Sequence, residues 1–101
     1  MVQMLLNKDL IRWMDRRERQ ILVHSFLYYR MDENIVSDHS YDLWSHELAD
    51  SIQDHESEFK QTAYYKDFIG FTGSTGMDLP LGSPEIERIA LRLLAIHLKR
   101  H

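Results

Sequence analysis

Residues 16–56 read RRERQILVHSFLYYRMDENIVSDHSYDLWSHELADSIQDHE. Two apolar stripes of helical period flank a short polar turn. Before the turn, Leu10, Met14, Ile21 and Tyr28 recur at spacings of four and seven, and Ile11, Leu22, Phe26 and Tyr29 widen the stripe. The pattern predicts a helix from about Asn7 to Met31, with Asn7 or Asp9 as its cap. The charged run Asp15–Gln20 interrupts the stripe but consists mostly of good helix formers, so one continuous helix and a break into two both fit. Asp32-Glu33-Asn34 reads as a turn, and Ile35-Val36 as a short extended pair. Ser37 and Asp38 then offer caps for a second helix running to about His55. Its stripe is Tyr41, Trp44, Leu48 and Ile52, at i, i+3, i+7 and i+11. So short a connection favours an antiparallel helical hairpin.

The rest of the chain is set out around that hairpin. All four glycines (Gly70, Gly73, Gly76, Gly82) and both prolines (Pro80, Pro84) fall between residues 70 and 84. Residues 70–83 therefore read as one Gly/Pro loop, and nothing before them breaks a helix. Residues 58–69, EFKQTAYYKDFI, are aromatic and fit either a short helix or an irregular stretch. Ser83-Pro84-Glu85 is a helix start, with Ser as cap, Pro in the first position and Glu in the positive first turn. Ile86, Ile89, Leu93 and Ile96 form the stripe of a C-terminal helix over 84–101, widened by Ala90, Leu94 and Leu98. Lys99, Arg100 and His101 suit its negative end. The expected fold is all-α: one helical domain over 1–101, an antiparallel helical hairpin plus a C-terminal helix packed across it, with a Gly-rich loop.

Composition agrees with that size of domain. A chain of 101 residues makes one domain, and such a domain buries roughly 65% of its surface. At 44% hydrophobic and 28% charged residues, the chain is globular rather than disordered. It has no cysteine, which excludes disulfides and cysteine-held zinc. The longest uncharged apolar run, Leu93–Ile96, is far below the ~20 residues of a membrane span. MVQMLLNKD is no signal peptide, so a cytoplasmic location is expected. A net charge of −4 argues against direct nucleic-acid binding.

The chemistry concentrates at the closed end of the hairpin. Tyr28 and Tyr29 fall in the last turn of the first helix, and Asp38, Tyr41 and Asp42 in the first turns of the second. Positions 38, 41 and 42 share a helix face. With the turn centred near residue 34, Tyr28 and Tyr41 stand nearly equidistant from it and can converge. Aromatic faces beside two carboxylates suit a flat, cationic or amide-bearing ring whose hydroxyl substituents the carboxylates accept. The plainer alternative is interhelical packing by the tyrosines, with Asp38 as a cap.

The same residues carry a resemblance. Tyr28-Tyr29-Arg30-Met31-Asp32, then Asp38-His39-Ser40-Tyr41-Asp42, then Trp44-Ser45-His46-Glu47-Leu48 resemble, without gaps, the N-terminal Ia domain of NAD-dependent DNA ligases across residues 16–56. The pattern there is Tyr-(Tyr/His)-x-x-Asp, a short turn, and Asp-x-x-Tyr-Asp-x-Leu-x-x-Glu-Leu. Asp54-His55-Glu56 is similar to the family's His-Pro-Glu. The resemblance implies a helical module that binds the nicotinamide mononucleotide (NMN) half of NAD and orients it as leaving group, while a separate domain takes the adenylate. On that basis Tyr28, Tyr29, Asp38, Tyr41 and Asp42 are the NAD or NMN ligands, in a bacterial or bacteriophage protein of DNA replication or repair. The chain departs from the family at Asn34, where the turn usually has Pro, and at Glu56, which follows His55 directly. The nucleotidyltransferase Lys-x-Asp-Gly motif and the ligase zinc finger are both missing. The implied role is a stand-alone module with no catalysis of its own, assisting a nucleotidyltransferase or ligase subunit as partner.

Two other classes of function stay open. One is a small interaction or adaptor protein that kept only the hairpin scaffold. The other is a nucleotide-metabolising enzyme with Asp38 or Asp42 as base. Further features are weaker. Lys8, Arg12, Arg16 and Arg19 make a basic stripe, read as a solvated charged face rather than a phosphate contact. The six histidines meet no zinc spacing, so no metal is expected. The Gly70, Gly73, Gly76 repeat reads as a tight surface loop before a phosphate cradle. Tyr64, Tyr65, Phe68 and Phe71 read as packing for its base.

Overall fold

The computed structural model describes residues 7–73, 79 and 83–99. Four α-helices follow in order: α1 (Lys8–Met31), α2 (Asp38–Asp54), α3 (Glu56–Phe59) and α4 (Pro84–Lys99), with a 3-10 turn at Tyr65–Asp67. The described residues contain no strand, and the fold is all-α. Gly76, Pro80 and Gly82 of the expected loop, with Arg100 and His101, lie outside the described residues.

Helix α1 is continuous through its charged run. Asn7 caps it, its side chain accepting from the Leu10 amide at 3.0 Å. At the other end Asp32 takes a left-handed conformation, φ 54° and ψ 38°, and its amide donates to the Leu27 carbonyl. The Glu33 amide reaches the same carbonyl at 2.9 Å. Two amides on one late carbonyl stop the helix, and Asp tolerates the left-handed region better than most residues. Ser37 then caps α2 by accepting from the Ser40 amide, and α2 ends with His55 as its cap.

Helix α1 is the shared wall of the domain, in contact with α2, α3 and α4. That explains why it buries more than one stripe. Met14, Ile21, Leu22 and Leu27 are fully buried, and Val23 and Phe26 nearly so. Leu48 of α2 and Ile86, Ala90 and Leu94 of α4 complete the core from opposite sides. The buried face of α4 is centred on this i, i+4, i+8 row, with Ile89 and Leu93 at its margin. Ile96, expected in the stripe, is 45% exposed, because the row it would extend turns away from α1.

The aromatic segment after α2 is built into the core. Phe59 meets Tyr65 edge-on at 4.9 Å between centroids, and buried Phe68 meets Phe71 at 5.0 Å. The chain then passes over α2 at Gly73, where φ is +85° and an added Cβ would stand 3.0 Å from the Ser45 carbonyl oxygen. Gly70, at φ +81°, faces open space.

Much of the charged run of α1 is used to hold this segment. Asp15 accepts from the Ala63 amide at 2.7 Å, and Glu58 of α3 accepts from the Asn7 amide at 3.0 Å. Arg19 lies near Tyr64, whose hydroxyl donates to Glu85 of α4 at 2.7 Å. Glu18 is completely buried. Its Oε2 lies 3.0 Å from the Thr62 hydroxyl, which also stands 2.8 Å from the Phe59 carbonyl. A hydroxyl has one proton, and the carbonyl can only accept. That single proton, donated to Glu18 Oε2 or to the carbonyl, is shared between two acceptors, and Glu18 Oε1 is buried with no hydrogen-bond partner, so a charged carboxylate is poorly solvated here. Burial raises the Glu18 pKa to about 8, against the partial opposition of the Thr62 hydroxyl and the Tyr64 backbone, while Asp15 and Asp67 raise it further.

Two outcomes test this packing. Gly70→Ala is expected to cost about 1–2 kcal/mol from backbone conformation alone. Gly73→Ala should cost more, because the Ser45 backbone must also move; urea midpoints should rank parent, then Gly70→Ala, then Gly73→Ala. For Glu18, the folded state keeps a proton that the unfolded chain releases between its ordinary pKa of 4.5 and about 8. Stability from this group is therefore present at acid pH and lost as pH rises through that window, at a slope approaching ~1.4 kcal/mol per pH unit. Denaturation curves of Glu18→Gln should lack this slope, and the variant should overtake the parent at pH 8.

Candidate functional site

The seam between α1 and α2 is fastened at three levels. Farthest from the turn, the Arg17 guanidinium lies between Trp13 and Trp44, 5.2 and 5.3 Å from their ring centroids, and pairs with Glu47 at 3.1 Å. A planar cation stacked on two indoles is a stronger tie than an exposed ion pair. Next, the His24 ring packs on Trp44 at 5.5 Å. Nearest the turn, the hydroxyls of buried Ser25 and Tyr41 hydrogen-bond at 2.5 Å.

Beyond that last fastening the helices open into a cleft of about 270 Å³. Tyr28, Tyr29, Asp38, Tyr41 and Asp42 all line it. The five residues singled out in the sequence are thus brought together from both sides of the turn. Tyr28 and Tyr29 stand edge-to-face, 4.8 Å between centroids and 85° between planes, and Tyr28 is 52% exposed. The pair lines the cleft and is partly open to solvent. Tyr41 forms the half-buried wall opposite. Burial raises its pKa, partly offset by its bond to Ser25, so it stays a neutral phenol. Asp38 and Asp42, one turn apart on α2, are both exposed.

Six further residues line the cleft: His24, Ser25, Glu33, Asn34, Ile35 and Val36. Sequence reasoning passed over them as site residues. Ser25 sits inside an apolar stripe, and only its partner sixteen positions away gives it a role. Residues 33–36 belong to the turn itself, which folds over the cleft rather than away from it. Burial lowers the His24 pKa, so its imidazole is neutral near pH 7.

Elsewhere, Lys8, Arg12, Arg16 and Arg19 are all exposed, with Arg12 3.5 Å from Asp9. Among the described residues no three His, Asp or Glu side chains converge in a metal-holding group, and no helix is long and apolar enough to cross a membrane. No family model, curated protein or solved structure matches this chain.

The Ser25–Tyr41 bond decides the shape of the inner wall. Tyr41→Phe leaves the buried Ser25 hydroxyl without its partner and is expected to cost about 1–2 kcal/mol. The double variant Tyr41→Phe/Ser25→Ala should cost less than the sum of the two single changes, since no orphaned hydroxyl remains. Urea denaturation of the four proteins measures the coupling.

Proposed function

We propose that the hairpin binds the nicotinamide mononucleotide half of NAD, in the manner of the ligase Ia domain it resembles, and presents it to a nucleotidyltransferase partner in bacterial or bacteriophage DNA replication or repair. The observation that carries the reading is the convergence of three tyrosines and two aspartates, from both helices, on one cleft. One of Tyr28 and Tyr29, which stand at 85° to each other, stacks on the nicotinamide ring while the other meets its edge. Tyr41, fixed by Ser25, bounds it on the far side. Asp38 and Asp42 accept from the carboxamide or the ribose hydroxyls and favour the positive ring.

The reading assigns no covalent step to this chain. Its contribution is geometric: gripping the nicotinamide end aligns the whole mononucleotide as leaving group, opposite a partner lysine that attacks the adenylate phosphorus as the pyrophosphate bond breaks, and alignment of this kind removes much of the entropic barrier. The pyrophosphate and adenosine of the dinucleotide extend out of the cleft toward that partner.

An amide-resolved NMR titration with NMN, NAD and adenosine monophosphate tests the reading. Saturable shifts around Tyr28, Asp38, Tyr41 and Asp42 are expected with the first two and not with the third. Tyr28→Ala and Asp42→Ala change exposed side chains, so both should stay folded and weaken binding at least tenfold, about 1.4 kcal/mol. No shift at millimolar NMN overturns it and leaves the hairpin as a scaffold for protein contacts.

A further inference from the structure

The charges lining the cleft are all of one sign. Glu33 stands in the turn, and Asp38 and Asp42 in the first turns of α2; no lysine or arginine is among the described lining residues. His24, held neutral by burial, adds no cation near pH 7. The α2 N-terminus is already engaged by this chain: Ser37 accepts from the Ser40 amide, and Asp38 occupies the first turn. A phosphate placed inside would therefore meet three carboxylates and no compensating cation. A cationic ring would meet the same carboxylates and the faces of Tyr28, Tyr29 and Tyr41 favourably. At about 270 Å³ the cleft lies at the small end of ligand pockets, which run from ~300 to ~1,000 Å³. It admits a ring with its sugar and leaves the rest of a dinucleotide in solvent.

We propose that the cleft selects its ligand by the delocalised positive charge of a flat ring and holds that ring with any attached phosphate outside. The proposal rests on the nicotinamide reading above and adds a selection rule to it. An oxidised nicotinamide is a planar pyridinium cation. The reduced form is an uncharged dihydropyridine with the same substituents. The cleft then discriminates between two oxidation states of one ligand, so that a module of this kind takes the oxidised cofactor from a mixed pool without steric exclusion of the reduced one.

Three ligands separate the elements: nicotinamide riboside, nicotinamide mononucleotide, and the reduced mononucleotide, each titrated into the full chain at pH 7 with amide shifts as readout. The riboside should bind at least as tightly as the mononucleotide, since its missing phosphate costs nothing inside the cleft. The reduced mononucleotide should bind at least tenfold more weakly than the oxidised one. Asp42→Asn and Glu33→Gln, each changing one lining carboxylate to its neutral isostere, should narrow that gap. Equal binding of the oxidised and reduced mononucleotides overturns the selection rule and leaves the nicotinamide reading standing. A mononucleotide that binds tenfold tighter than the riboside also overturns it, because a phosphate would then be held. Absence of cleft shifts with all three ligands removes both.

Discussion

Asp32 takes a left-handed conformation, and with that residue α1 stops and the chain reverses. Two amides converge on the Leu27 carbonyl, residues 33–36 cross the end of the bundle, and Ser37 starts α2. The rest of the molecule depends on this reversal. It places α2 antiparallel to α1 in a register where Tyr41 meets Ser25, Trp44 meets His24, and Glu47 meets Arg17. A slip of one residue in the turn would rotate α2 by about 100° and send Tyr41 and Trp44 to solvent. The cleft exists because the helices are fastened below it, at Ser25–Tyr41, and the turn spans it above.

The second organising feature is polar rather than apolar. The charged run of α1, which interrupts its hydrophobic stripe, reaches the rest of the fold through three hydrogen-bonded side chains: Asp15, Arg17 and Glu18. Arg17 ties α1 to α2. The other two hold the segment between α2 and α4, and Tyr64 of that segment donates on to Glu85. Burial pushes the Glu18 pKa up to about 8, so its contribution falls as the carboxyl ionises away from water. The domain therefore has a dry, proton-dependent joint on one side of α1 and a solvent-facing, acidic cleft at the end of the hairpin.

The helices were legible because their signals are local. Asn7, Ser37 and the Ser83-Pro84-Glu85 start act within one turn of themselves, and the periodicities of α1 and α2 need only a helix and a core. The site was half legible for the same reason. Tyr28 and Tyr41 are each a short distance from one turn, so a hairpin must bring them near one another. Ser25, His24 and residues 33–36 were not legible as parts of the cleft, because nothing in their own neighbourhoods marks them. Glu18 was not legible as an interior residue: its own neighbourhood is a run of charges, and the threonine that bonds it lies forty-four positions away.

The sequence by itself determined the all-α class, the approximate limits of α1 and α2, the start of α4, the reversal between residues 32 and 37, and the end of the hairpin at which aromatic and acidic residues gather. Each of these is set by capping, periodicity or breaker residues that act over a few positions. Only the tertiary structure decided which face of α4 is buried, that Ser25 fixes Tyr41, that the turn closes over a cleft, and that Glu18 is an interior residue with a raised pKa. Those outcomes depend on what lies opposite a residue in space. Desolvation and hydrogen-bond partnership belong to the pair or the cluster, and no single position in the chain carries them.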